Sequence, residues 1–303
     1  MILDSLKTFI DDNDLQDSKI AVACSGGVDS LTLLDALSKV HPKELILCLH
    51  LDHGWQESSK SAHELVKKYC EDHNISFNSK TYKTGEMNKS ESEARKARYE
   101  FFQEACNKEG VTDLFLAHNL NDHVETILFR VFRGTGTAGL RGIKKKRDLG
   151  ALTLLRPFLE TTREEIEDYA KKNKLSFFED LSNQDTNYAR NRIRHNILPE
   201  ALKLNQKVLN NVVQLTKIIS EEQEFFSKEL DKVLIALGDL PWELSRFRDL
   251  ARAMQRKVLE KVFCPNIEFV NDFMEAITEG GFHRINFKKD HYFTIKQKKI
   301  YLE

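Results

Sequence analysis

Six residues, Ser25-Gly26-Gly27-Val28-Asp29-Ser30, carry the types and spacing that hold a phosphorylated ligand. They follow an apolar run, Ile20 to Cys24, that reads as a buried strand, and precede Leu31 to Leu37, which reads as a helix. A glycine pair at that junction lets the backbone turn tightly and approach a ligand. The helix then directs unpaired N–H groups and its positive dipole end at the same point. Ser25 and Ser30 add hydroxyls. No lysine closes the loop, as a Walker loop requires. Asp29 puts a carboxylate where an anion belongs, and a magnesium ion shared with the phosphates reconciles the two. The ordinary alternative is a plain strand-to-helix turn in which Asp29 only favours the helix dipole.

Other polar groups recur in patterns. Asp122 and Glu125 lie three apart on a predicted helix over 122–133 and face one way, as do Arg95 and Arg98 on a helix over 90–108. The acids could merely favour a helix N-terminus, and the arginines could pair with Glu91 or Glu93. Gly134, Gly136 and Gly139 make a turn able to approach a phosphate chain. From Arg130 to Arg147 there are seven basic residues, including Arg133, Arg141, Lys144, Lys145 and Lys146, and no acidic one. Such a stripe can hold a nucleic-acid backbone on a chain whose net charge is only −1. Arg190, Arg192 and Arg194 alternate with apolar or amide residues, and guanidinium planes suit phosphates and exposed loop bases. Their ordinary alternative is pairing with Glu179 and Asp180.

The elements that must position these groups alternate along the first two-thirds of the chain. Strands are expected at 19–24, 44–51, 76–82, 113–117 and 152–156. Helices are expected at 29–40, 58–73, 90–108, 122–133 and 162–173, the last opened by a Thr162–Glu165 capping box. That order predicts an α/β fold, a doubly wound and mostly parallel sheet with ligands at the carboxyl ends of its strands. Asp52 and His53 end the second strand and His118 follows the fourth, so both open onto the edge that carries the hexapeptide. After Asn205, helices at 206–235 and 243–262 and a hairpin over 283–302 predict a smaller, mainly helical domain. Expected domains are 1–205 and 206–303.

At 41% hydrophobic and 31% charged, the chain has the composition of a globular protein. No apolar run approaches the ~20 residues of a membrane span, and the acidic N-terminus has no signal-peptide layout, so a cytoplasmic location and no membrane partner are expected. Cysteines at 24, 48, 70, 106 and 264 include no C-x-x-C pair, against a zinc knuckle or iron–sulfur cluster.

The hexapeptide resembles the loop signature of the N-type ATP pyrophosphatases, the PP-loop enzymes. Four later segments narrow the resemblance: Glu93 to Tyr99, His118 to Thr126, Arg133 to Leu140, and Glu179 to Asn183 with Tyr188 to Arg194. In this order they resemble the tRNA(Ile)-lysidine synthetase family across about residues 19–200. The resemblance implies an adenine nucleotide alpha-hydrolase-like fold and ligation of free L-lysine to the wobble cytidine of isoleucine tRNA with a CAU anticodon. The cytidine oxygen at ring position two takes AMP from ATP, and the lysine amine then displaces AMP. It implies Mg2+ with ATP, and contacts to ATP from Ser25, Gly26, Gly27, Val28, Asp29, Ser30, Asp52, His53, His118, Gly134 and Gly136. Catalysis falls to Asp29, Arg98, Asp122 and Glu125, with the acids anchoring lysine and relaying its proton. Contacts to tRNA fall to Arg133, Arg141, Lys144, Lys145, Lys146, Arg190, Arg192 and Arg194. The family often has paired aspartates where this chain has Asn121-Asp122, which leaves Asp122 to act alone. Its longer members carry a further C-terminal domain for which 303 residues leave no room. Other ATP-dependent tRNA modification such as 2-thiolation, NAD or GMP synthesis, and a non-catalytic RNA-binding relative are the competing expectations.

Overall fold

A computed structural model describes residues 1–52, 59–82, 91–178, 189–263, 267–279, 281–288 and 291–303. The chain divides into two compact units, Met1–Phe129 with Gly142–Asn211, and Arg130–Arg141 with Val212–Glu303.

In the first unit a six-stranded sheet runs in the order β3-β2-β1-β4-β6-β5. Its strands are β1 (Ile20–Ala23), β2 (Ile46–Asp52), β3 (Ser76–Thr81), β4 (Asp113–Phe115), β5 (Lys146–Leu149) and β6 (Leu152–Leu155). All pairings are parallel except β5 with β6. The helices are α1 (Ile2–Asp11), α2 (Val28–Val40), α3 (Ser59–His73), α4 (Glu91–Glu109), α5 (Leu120–Phe132), α6 (Arg163–Lys172), α7 (Ala189–Arg192) and α8 (Leu198–Leu204), with one π-helical turn at Ile193–Ile197.

The alternation of side chains along β1 explains why both faces are covered. Ile20 and Val22 join a core with Leu6, Leu31, Leu34, Val66 and Ile166, from α1, α2, α3 and α6. Ala21 points the other way, into a core with Phe101, Phe102 and Cys106 of α4. Strand order reverses between β1 and β4, which makes their carboxyl ends the switch point where ligands of such sheets bind. The doubly wound expectation is met. Two elements escaped the sequence. Helix α1 has a polar outer face that masked it, and β5 is a short edge strand within the basic stripe.

The second unit contains α9 (Val208–Leu237, which begins in the first unit), α10 (Leu244–Arg248), α11 (Arg252–Phe263) and α12 (Ile267–Glu279). It also holds a four-stranded sheet, β7-β10-β9-β8, of Trp242–Glu243, Lys299–Leu302, His291–Lys296 and His283–Lys288. Trp242, Phe247, Phe269, Phe273, Phe293 and Ile300 fill its core. The helix expected over 243–262 is broken into α10 and α11. The terminal segment folds back once more at Gln297-Lys298, both with positive φ, as a two-residue hairpin turn of type I′ demands. The glycine-rich segment with Arg133, Gly134, Gly136 and Arg141, which the sequence grouped with the first domain, packs within this second unit, where Arg130 Nη1 donates to Gly139 O at 2.6 Å. Among the described residues no helix is long and apolar enough to cross a membrane.

Candidate active site

The turn after β1 is held from within. Gly26 has φ +90°, and a Cβ there would lie 3.1 Å from Ala62 Cβ of α3, so only glycine fits without strain. Gly26 O accepts from Phe178 N at 2.9 Å. Ser30 pins the turn: its hydroxyl donates to Gly27 O at 3.0 Å and accepts from Ser25 N at 3.1 Å. Its proton is thus spent on the loop, whereas Ser25 is exposed beside it, with the two hydroxyls 3.2 Å apart. Val28 is buried at the start of α2.

Asp29, on the first turn of α2, receives a hydrogen bond from Asn119 Nδ2 at 3.0 Å. Burial raises its pKa, helped by the negative charge of Asp122 and opposed by Arg163, the Asn119 bond and Arg194. Asn119 is only 1% exposed and does two jobs. Its side-chain oxygen accepts from Asp122 N at 3.0 Å, while Asp122 Oδ2 accepts from Asn119 N at 3.1 Å. This reciprocal cap starts α5 and leaves the Asn119 amide aimed at Asp29. Asn119 was absent from the expected site. Its neighbour Asn121 accepts from Arg163 N at 3.0 Å and so caps α6, a task an amide performs as well as the carboxylate expected there. The Thr162–Glu165 capping box forms as expected.

Asp122 and Glu125 share a face of α5, but the groups they meet differ from expectation. Arg194 Nε and Nη2 donate to the two oxygens of Glu125 at 2.7 and 2.9 Å, and Nη2 also donates to Asp122 Oδ1 at 2.9 Å. Arg190 lies 3.5 Å from Glu125 and 3.9 Å from Asp122. Bidentate pairs of this kind are strong and oriented. Burial opposes the charge on Arg194, but the bond to Glu125 and the charges of Glu125, Asp122 and Asp29 outweigh it. Glu125 is 1% exposed with both oxygens occupied, so it positions Arg194, and Asp122, at 17%, is the more open acid. Arg190 and Arg194 therefore face inward onto the acids, while Arg192 is exposed. Their spacing of four is the repeat of a helix face, and the π turn at Ile193–Ile197 carries Arg194.

His118 follows β4. Burial lowers its pKa to about 4, with Asp122 raising it and Arg156, Arg190 and Arg95 lowering it further. The ring is neutral at pH 7. Between pH 6.5 and 4 the unfolded chain binds a proton that folded His118 refuses, so stability should fall with acidification across that window. In the His118→Gln variant this slope should be shallower than in the parent, measured by urea unfolding at several pH values.

The remaining expected residues are dispersed. Asp52 is buried at the end of β2, and His53 lies outside the described residues, as do Glu179 to Tyr188. Arg98 is exposed on α4, and Lys144, Lys145 and Lys146 precede or begin β5, with Lys145 Nζ 5.4 Å from the centre of the Phe9 ring. Among the described residues no group of three or more His, Cys, Asp or Glu side chains could hold a metal. A single buried carboxylate completed by phosphate oxygens and water is nonetheless the usual magnesium arrangement, and Asp29 meets it.

A family model described as a PP-loop domain matches residues 2–201. The chain is 36% identical over 265 residues to the "Bifunctional protein TilS/HprT" of Listeria monocytogenes, covering 83% of this chain and 41% of that one. It is 39% identical over 206 residues to the "tRNA(Ile)-lysidine synthase" of Thermotoga maritima, covering 66% and 49%. The chain thus spans half or less of these relatives' length. Among solved structures, the U34-tRNA thiolase NcsA of Methanococcus maripaludis, described with its [4Fe-4S] cluster, superposes with a TM-score of 0.58 at 16% identity, over 73% of this chain and 79% of that one, a likeness of fold. The phosphate-binding turn at a sheet's switch point and a match spanning two-thirds of the sequence lead to one assignment: the chain belongs to the PP-loop domain family.

Proposed function

We propose that this protein ligates free lysine to the wobble cytidine of the AUA-reading isoleucine tRNA, at the expense of ATP cleaved to AMP and pyrophosphate. The observation that carries the proposal is the Asn119 relay, which holds Asp29 of the loop and Asp122 of α5 at one sheet edge. The named relatives at 36% and 39% identity support the choice of substrate.

The loop amides and the N-terminus of α2 would receive the phosphates. Asp29 would hold a magnesium ion brought with ATP, whose charge offsets the penalty that burial imposes on this carboxylate; when bound, that ion polarises the phosphoryl group. In the first step the cytidine O2 bonds to the α-phosphorus and pyrophosphate leaves. In the second the lysine ε-nitrogen bonds to C2, the C2–O bond breaks and AMP departs. The amine, with an ordinary pKa near ~10.4, must shed a proton, and Asp122 is the acid open enough to anchor it and take that proton. Asn119 and Arg194 fix Asp122, and Glu125 fixes Arg194. Contacts from Arg192, the 144–146 lysines, Arg133 and Arg141 to the tRNA backbone are part of the proposal. Thiolation is disfavoured, because the described cysteines, Cys24, Cys48, Cys70 and Cys106, are all buried.

Mass analysis of isoleucine tRNA after incubation with ATP and lysine tests the proposal. A lysine adduct at the wobble cytidine is expected. Unmodified tRNA, or a sulfur-containing base, would refute it.

A further inference from the structure

A buried arginine without a carboxylate lies on the opposite flank of the edge from Asp52. Strands β4 and β6 run parallel with Phe115 opposite Leu155, and Leu116 N donates to Leu155 O at 2.8 Å. His118 and Arg156 therefore leave the sheet side by side. Arg156 is 3% exposed. Its Nη1 donates to Lys144 O at 2.8 Å and its backbone N donates to Lys145 O at 2.9 Å. Its Nε is buried with no hydrogen-bond partner among the described residues, and so is Nδ1 of His118.

A guanidinium this buried demands a counter-charge, because desolvation is offset only by pairing. The described charged groups nearest it in effect are Arg147 and Arg95, both positive, and Tyr99 is its one favourable side-chain neighbour. The chain supplies more positive charge here and leaves the anion to a ligand. Across His118 the sign changes, since that ring feels Asp122 on one side and Arg156 and Arg95 on the other. The edge thus has an acidic part at Asp29 and Asp122, a basic part at Arg95 and Arg156, and a neutral imidazole between. A free amino acid, with a cationic amine and a carboxylate, matches that division. A phosphate is the other anion of suitable size, but the turn after β1 already provides a phosphate cradle.

We infer that Arg156 and Arg95 receive the carboxylate of the amino-acid co-substrate while Asp122 faces its reacting amine. The inference rests on the activity proposed above and assigns a subsite to it. A hydrogen bond to a charged group contributes about 1.5–3 kcal/mol, roughly a 10- to 100-fold change.

The test compares L-lysine with cadaverine, which keeps both amines and lacks the carboxylate, in the parent, Arg156→Lys and Arg95→Gln proteins. Cadaverine is assayed as nucleophile or, where it does not turn over, as competitor. In the variants KM for lysine should rise about 10-fold or more, with cadaverine kinetics or inhibition, and KM for ATP and tRNA, unchanged. Equal losses with lysine and cadaverine, or a rise confined to ATP or tRNA, would overturn the subsite. Exposed Arg95 serves as the control against misfolding of the Arg156 variant. Pyrophosphate release with ATP and tRNA alone reports the first step separately, so its absence in the parent counts against the activity. In that event calorimetric titration with lysine still judges the subsite: heat lost in Arg95→Gln supports it, and heat unchanged refutes it.

Discussion

Replacing Asp29 by asparagine should reduce tRNA-dependent pyrophosphate release by about a hundredfold or more, the scale of losing one preorganised electrostatic group at a reacting centre, while leaving the protein as stable as the parent or more so. The two signs follow from one fact. Burial raises the Asp29 pKa, so the folded chain holds that proton more tightly than the unfolded chain. Its contribution to stability is present at low pH and lost as pH rises through the two values. An amide of the same shape removes that loss and still accepts from Asn119 Nδ2. It cannot supply a negative oxygen to a cation. Thermal melting at pH 5 and pH 8, set beside pyrophosphate assays, reads both effects; a variant that melts well below the parent, or retains full turnover, contradicts the role given to Asp29.

Arg194→Met should be the most destabilising of the substitutions considered, by about 3–5 kcal/mol, because it strands a buried carboxylate. Glu125 has almost no access to water and takes both of its short bonds from Arg194. The reverse change, Glu125→Gln, should cost less, since Arg194 keeps partial exposure and its bond to Asp122. The double variant should recover part of the Arg194→Met loss, and a double-mutant cycle on urea midpoints measures that coupling. Equal and small costs for both single changes would mean that the pair is not holding α5 to the π turn.

Much of this site was legible before any coordinates. The apolar runs marked every parallel strand of the sheet, since strands buried on both faces have no polar period to confuse. Ser25 to Ser30 marked the switch point because glycines and a helix start follow directly on one of those runs. What stayed hidden depends on partners distant in the chain. Asp122 and Glu125 are 65 to 72 residues from the arginines that bind them, and no local pattern reveals such a pair. The spacing of Arg190 and Arg194 was readable as a helix face, but the alternation with Arg192 suggested an extended strip instead. Arg156 gave a faint signal, one charge closing the apolar run Leu152 to Leu155. Asn119 gave a better one, an Asn-x-x-Asp cap, whose second task toward Asp29 depends on the sheet order. The functions of Gly134 and Gly136 stand as proposals of a different kind, since their segment packs within the second compact unit.

Everything proposed for the chemistry returns to the transfer of AMP at the turn after β1. ATP labelled at its α-phosphate, incubated with the protein and isoleucine tRNA but no lysine, measures that transfer. Label should appear on the tRNA, with one pyrophosphate released for each, and should leave as AMP when lysine is added. Release of ADP in place of pyrophosphate, or pyrophosphate formed at full rate without tRNA, would contradict the account.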